Sequence, residues 1–184
     1  MNPLLVELSS FEKHKAKAPK MLNFAVIICS SSRFEAYRSG RQFEDLSGDL
    51  AESLIEAWGF KVTHRMLLPD DLKMIREAVD RLCSMEDVDV VLISGGTGLS
   101  PRDVTVEAVR PMFEKEMPGF GELFRLLTFQ REGSIAVLSR AVAGVCRGKV
   151  VFAIPGSPGA VELALKRLIL PEAAHMVLHA RGLG

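Results

Sequence analysis

Leu22 to Cys29 (LNFAVIIC) and Val88 to Ile93 (VDVVLI) are short runs, apolar at almost every position. They stop at Ser30-Ser31-Ser32 and at Ser94-Gly95-Gly96-Thr97-Gly98. A strand with one wetted face alternates, whereas a run that is apolar throughout belongs in a sheet covered on both sides. Between these runs the pattern is helical. Leu50, Ala51, Leu54, Ile55 and Trp58 make one apolar face, closed by Gly59 where a helix C-terminal glycine is favoured. Phe60 to Leu68 reads as a second strand. Pro69-Asp70-Asp71 ends it and supplies an N-cap for a helix carrying Leu72, Ile75, Val79 and Leu82 on one face.

Thr105 to Phe113 has helical character, as does Glu122 to Phe129 after the break at Pro118-Gly119-Phe120-Gly121. Ala141 to Val145 and Lys149 to Ile154 read as strands joined by a tight Arg147-Gly148 turn, which suits an antiparallel hairpin. Ser157 at the N-cap and Pro158 at the first helical position open a helix over Gly159 to Leu170, and Pro171 permits a last short helix to about Ala180. Strand and helix alternate almost throughout. The expected fold class is therefore α/β, a three-layer sandwich with a mostly parallel central sheet.

The length of 184 residues suits one domain, expected over residues 21–184, with residues 1–20 as a flexible or helical N-terminal arm. The polar stretch Ser30 to Glu44 reads as a long loop, a kind that is often functional. The 23 Lys and Arg balance 23 Asp and Glu, so no overall basic field recruits nucleic acid or an anionic membrane, and an anionic ligand must be held locally. No run approaches the roughly 18 apolar residues of a membrane span. Three Cys without paired spacing argue against a disulfide framework and for a reducing, cytoplasmic setting. With the single Tyr dropped and the 15 Gly added, the 48% apolar share becomes roughly 55%, above the roughly 45–50% of an average soluble domain. That excess points to an oligomer interface.

The sharpest motif is Ser94 to Gly98. Three glycines in four positions let backbone N–H groups approach an anion, and Thr97 adds a hydroxyl; the alternative is a turn that merely connects strand to helix. The loop is neither a Walker A sequence nor G-x-G-x-x-G. At its mouth, Arg102 can hold a phosphate and Asp103 a Mg²⁺ ion or its waters, or Asp103 can simply cap the following helix. Asp45, in Asp45-Leu46-Ser47-Gly48, has the same two readings. Pro155-Gly156-Ser157-Pro158 is a third loop after a strand, where Ser157 caps its helix and can donate to a ligand.

Other residues carry blander readings. His175 and His179 share a helix face but enclose no acidic residue, which makes ordinary surface or interface histidines the expectation. Cys29 has no activating neighbour in sequence and reads as a buried thiol. Arg33, Arg38 and Arg41 lack the interleaved aromatics of a nucleic-acid surface, yet could approach a phosphorylated small molecule.

Four segments together, SGGTGLSPRDVTVEA at Ser94 to Ala108, DLSG at Asp45 to Gly48, LSRAVAG at Leu138 to Gly144 and PGSPGAVELAL at Pro155 to Leu165, resemble the MoaB/Mog family of molybdenum cofactor biosynthesis. The resemblance runs from about Met21 to His179. It implies a trimeric or hexameric molybdopterin adenylyltransferase that moves AMP from Mg-ATP to the phosphate of molybdopterin and releases pyrophosphate, with a molybdenum-insertion protein as a possible partner. It also implies that Asp45 and Asp103 are catalytic and hold Mg²⁺. Ser94, Gly95, Gly96, Thr97, Gly98, Arg102, Ser139, Arg140, Gly156 and Ser157 then bind molybdopterin and nucleotide. Val106 and Gly159 depart from residues common in the family, Pro and a polar residue respectively. The alternatives are a non-catalytic molybdopterin-binding or scaffold protein, and a nucleotide-hydrolysing relative of the competence-damage-inducible type. The latter resembles GGLG followed by DD, against GGTG and RDVT here.

Overall fold

Both apolar runs lie at the centre of a six-stranded sheet in the computed structural model, which describes residues 18–183. The strands are β1 (Asn23–Cys29), β2 (Lys61–Leu68), β3 (Val90–Ser94), β4 (Lys115–Glu116), β5 (Val142–Cys146) and β6 (Lys149–Ile154), in the order β2-β1-β3-β6-β5-β4. From β2 to β6 neighbouring strands are parallel, while β5 runs antiparallel to β6 and to β4. The helices are α1 (Ser31–Arg38), α2 (Leu46–Ala57), α3 (Leu72–Ser84), α4 (Thr105–Val109), α5 (Pro118–Glu132), α6 (Pro158–Ala164) and α7 (Ala173–Ala180). No helix among the described residues is long and apolar enough to cross a membrane.

The two-sided burial expected of β1 is visible residue by residue. Phe24, Val26 and Ile28 face a core shared with Ala51 and Ile55 of α2, Phe124 of α5, Val161 of α6 and Val177 of α7. Ala25, Ile27 and Cys29 face the opposite core, with Ile75, Val79 and Leu82 of α3 and Val106 and Val109 of α4. Phe24, Ile27, Leu92 and Phe152 are fully buried. Each such side chain contributes roughly 1.5–3 kcal/mol relative to exposure. The three-layer α/β sandwich is thus the observed architecture.

Three departures from the sequence reading have physical causes. The long loop contains α1, a helix with no buried residue, so it leaves no apolar period to read. The two-residue strand β4 pairs Lys115 with Val145 and Glu116 with Gly144, and is too short and too exposed to show alternation. The helix opened by Pro158 passes into a π-helical turn over Leu165–Ile169. The β5–β6 hairpin is formed, shifted by one residue. Arg147 (φ 51°) and Gly148 (φ 72°) both take the positive φ that a two-residue type I′ turn needs. Arg147 is held there by its N–H to Glu114 Oε1 (2.8 Å) and its guanidinium to Asp80 Oδ1 (2.7 Å).

The expected N-terminal arm lies mostly outside the described residues. The topology of the rest places a site. β1 and β3 are neighbours, but the chain leaving β1 returns through α2 on one face and the chain leaving β3 returns through α4 on the other. Loops that part in this way open a crevice outside the carboxyl ends of the strands, where open α/β sheets bind ligands.

Candidate functional site

That crevice is a cavity of about 750 Å³. Its floor comes from the ends of all four parallel strands: Cys29 to Arg33 after β1, Asp70 after β2, Ser94 to Gly98 after β3, and Pro155 to Ser157 after β6. Gly95 (φ +109°) and Gly96 (φ +65°) adopt backbone that L side chains rarely take. A Cβ on Gly95 would lie far inside contact of the Cys29 carbonyl oxygen, and one on Gly96 would meet the Thr105 hydroxyl and sit 3.0 Å from Asp70 Oδ1. The loop is fastened from behind. Gly95 N–H donates to Ile154 O (3.0 Å), Thr105 Oγ1 donates to Gly95 O (2.8 Å) and Thr105 N–H donates to Gly96 O (2.9 Å).

Of the three carboxylates that line the cavity, Asp70, Asp103 and Glu132, the two aspartates lie against this glycine stretch. Asp103 does not cap α4, whose N-cap position is Val104 with no side-chain cap. Its Oδ2 accepts the Ser100 N–H (2.9 Å) and lies 2.7 Å from where a Gly98 Cβ would be. Asp70 was not singled out from sequence, where it reads as part of the turn that stops β2; only the pairing of β2 beside β1 carries it to the glycine loop. Its Oδ2 accepts the Ser31 N–H (2.9 Å) and hydroxyl (2.7 Å). In each carboxylate Oδ1 takes no hydrogen bond among the described residues. Oxygen donors with open lone pairs suit Mg²⁺, which prefers one or two carboxylates completed by water and substrate phosphates. No group of three His, Cys, Asp or Glu placed to hold a metal ion occurs among the described residues.

Asp45, expected to hold the metal with Asp103, lies apart from the cavity lining. It caps α2 by accepting the Gly48 N–H (3.1 Å), pairs with Arg65 Nη2 (2.6 Å) and Arg33 Nη1 (3.5 Å), and does not line the cavity. Arg65 also binds Asp49 (2.6 Å) and Glu52 (2.8 Å). Burial works against its charge, but these hydrogen bonds outweigh it and raise its pKa. Arg33, which Asp45 holds, does line the cavity, and so does Arg102. Arg38 and Arg41 do not line it.

Ser94, Thr97, Gly156 and Ser157 line the cavity as expected from their loops. Ser47 Oγ donates to Gly156 O (2.7 Å), and Ser157 caps α6 through Ala160 N–H (3.2 Å). Arg140 is not in the wall; it binds the back of the glycine loop. Cys29 is at the rim of the floor, but burial pushes its thiol up to about 12, which removes it as a nucleophile. His175 and His179 face each other at 2.8 Å between their Nε2 atoms, away from the cavity. Phe124, Leu138 and Leu163 give the cavity an apolar side opposite its anion-seeking floor.

Ser139 Oγ is buried at the cavity with no hydrogen-bond partner among the described residues. An orphaned hydroxyl of this kind costs roughly 1–3 kcal/mol, a cost that a bound polar group can relieve. Ser139→Ala should therefore leave the free protein as stable or up to about 1 kcal/mol more stable while weakening ligand binding. Urea denaturation and titration of the phosphorylated ligand test both halves, and a variant destabilised by more than that would refute the assignment.

A mostly parallel sheet with a fastened glycine loop, two aspartates and two arginines at its carboxyl edge makes an α/β domain whose crevice suits a phosphorylated small molecule. The family model described as "Probable molybdopterin binding domain" matches residues 25–175. "Molybdenum cofactor biosynthesis protein B" of Halalkalibacterium halodurans is 44% identical over 169 residues, covering 91% of this chain and 95% of that protein. A "Probable molybdopterin adenylyltransferase" of Methanocaldococcus jannaschii is 38% identical over 165 residues, covering 90% and 98%. The crystal structure of the tungsten cofactor synthesizing protein MoaB from Pyrococcus furiosus superposes with a TM-score of 0.78 at 36% identity, covering 89% of this chain and 99% of that one. The chain belongs to the MoaB/Mog family of molybdenum cofactor biosynthesis proteins.

Proposed function

We propose that this protein is a molybdopterin adenylyltransferase, which transfers AMP from Mg-ATP to the terminal phosphate of molybdopterin. The observation that carries the reading is the placement of Asp70 against Gly96 and Asp103 against Gly98, both lining the cavity, each with one oxygen used by the fold and one that takes no hydrogen bond among the described residues. A phosphate-binding loop alone serves a binding protein. Carboxylates at both ends of such a loop repel the phosphates it attracts unless a cation lies between them, and that arrangement belongs to phosphoryl chemistry.

In the reaction, an oxygen of the molybdopterin phosphate attacks the α-phosphorus of ATP. The new P–O bond forms as the bond to the β-phosphate oxygen breaks, and pyrophosphate leaves with that electron pair. No side chain forms a covalent bond, in keeping with the buried, protonated Cys29. The amides of Gly96, Thr97 and Gly98 and the guanidinium of Arg102 cradle phosphate oxygens, Arg33 is held toward the floor by Asp45, and Ser139 and Ser157 offer hydroxyls. The Mg²⁺ ion, held by Asp70 and Asp103, would neutralise charge developing on the phosphates. The chain's task is to bring two anions together in line, which depends on orientation and charge rather than on a nucleophile.

Assembly into a homotrimer or homohexamer is part of the same reading. Leu123, Leu126 and Phe129 of α5, followed by Ile135, Val137 and Leu138, leave a large apolar surface exposed on the single chain.

The test is production of pyrophosphate and adenylylated molybdopterin when purified protein is given ATP, Mg²⁺ and molybdopterin. Omitting Mg²⁺ should abolish the product. Protein that binds molybdopterin but forms no adenylate under these conditions would falsify the proposal in favour of a carrier or scaffold.

A further inference from the structure

We infer that Glu107 and Arg140 form a clamp that sets the orientation of the glycine loop, and that Arg140 acts through this loop and not as a phosphate ligand. The inference rests on the adenylyl-transfer reading for its kinetic consequence, but its geometry stands apart from it. Arg140 lies just before β5 and does not line the cavity. Its Nε donates to Thr97 O (3.2 Å) and its Nη2 to Asp103 O (3.2 Å), so one planar group joins both ends of the turn that carries Gly98, Arg102 and Asp103. Glu107, in α4, receives the rest of the fork at Oε1 from Nη1 (2.5 Å) and at Oε2 from Nη2 (3.2 Å).

The consequence follows from the peptide unit. A trans peptide directs its C=O and N–H to opposite sides, so holding Thr97 O toward Arg140 turns the Gly98 N–H away from it. Gly98 lines the cavity. Holding Asp103 O in the same grip fixes the backbone from which its carboxylate projects. Between these points the stretch, among the described residues, is tied only to itself, by Asp103 N–H to Ser100 O (2.8 Å), Ser100 N–H to Asp103 Oδ2 (2.9 Å) and Arg102 N–H to Ser100 Oγ (3.3 Å). Glu107 does not line the cavity. Its role is to hold the guanidinium plane, a geometry that the point charge of a lysine cannot reproduce. The hydrogen bond from Arg140 lowers the Glu107 pKa against a smaller opposing effect of burial. A lowered carboxylate pKa means that the pair is intact above the ordinary carboxylate range and is lost only as pH falls through the lowered value.

Arg140→Lys separates the two roles. A direct phosphate ligand would be largely replaced by another cation, with the remaining loss in KM. The clamp predicts instead that Arg140→Lys is as impaired as Arg140→Ala, with kcat down about 10- to 100-fold and KM for ATP within about threefold of the parent, the range found for residues that orient a ligand-bearing group. Glu107→Gln, at a half-exposed position where misfolding is not a concern, should lower kcat in the same sense but less. Amide hydrogen exchange gives a readout that needs no turnover. The Ser100 and Asp103 amides should exchange at least tenfold faster in Glu107→Gln and Arg140→Lys, while those of β3 stay at the parent rate. An Arg140→Lys protein with at least half the parent kcat, or loop exchange unchanged in both variants, overturns the clamp. If the parent protein makes no adenylate, the proposed activity fails, while the exchange measurement still decides the clamp.

Discussion

Replacing Asp103 with Asn should lower adenylyl transfer by about 10²- to 10³-fold while leaving the urea midpoint almost unchanged. The substitution keeps size and shape, and the Asn side-chain oxygen can still accept the Ser100 N–H that Asp103 Oδ2 accepts. What it removes is the negative charge beside the open oxygen. Asp70→Asn should behave alike, because the amide oxygen can still take the two hydrogen bonds from Ser31. If both carboxylates contact one cation, the double variant should be little worse than either single one, since each change already loses the shared ligand. Higher Mg²⁺ should recover part of the rate in the single variants. An Asp103→Asn protein with activity within threefold of the parent would show that the carboxylate near Gly98 serves the loop alone. Asp45→Asn offers the contrast: it weakens the link to Arg65 and Arg33, so the loss should be smaller and appear partly as reduced stability of α2.

Gly95→Ala should destabilise the protein by about 2–5 kcal/mol, the sum of a positive-φ penalty of about 1–2 and an overpacking cost of about 1–3. With total stability commonly about 5–15 kcal/mol, this is enough to reduce the yield of folded protein. The clash is with the carbonyl of Cys29, at the end of a strand buried on both faces, so neither partner yields easily. Two other glycines provide scale. Gly59 also has positive φ (+96°) but open space around it, so Gly59→Ala should cost only the conformational part, about 1–2 kcal/mol. Gly119, in α5 with nothing within 4 Å, should gain roughly 0.5–1 kcal/mol as Ala. Urea midpoints for the three variants test the ordering. A Gly95→Ala protein as stable as Gly59→Ala would mean that the loop has room to move off β1.

Much of this fold is legible in the chain because its elements bury something. LNFAVIIC and VDVVLI are apolar on both faces since helices cover both, and Asp71, Ser157 and Gly59 sit at helix ends where their side chains or φ values are needed. The helix α1 escaped that reading because it packs no side chain into the core. The candidate site divides along a similar boundary. Its glycine loop, Arg102 and Asp103 are contiguous in sequence and could be read as one motif. Asp70 reaches them only through the pairing of β2 with β1, and Asp45 looked equivalent to Asp103 because its partner Arg65 stands twenty residues away on β2. Arg140 was placed at the substrate by resemblance, whereas contacts to residues more than thirty positions earlier put it behind the loop.

The strand order also bears on time. The β5–β6 hairpin joins neighbours through a two-residue turn, but β1 meets β2 and β3, and β3 meets β6, only across long intervals of chain. Closing such loops before their contacts can repay the lost entropy makes parallel sheets slow to fold relative to helical bundles of the same length. The cavity floor draws on the ends of β1, β2, β3 and β6 together. It therefore has no partial form: ligand-binding capacity should recover on refolding only with the slowest sheet-forming phase, well after helical signal has returned.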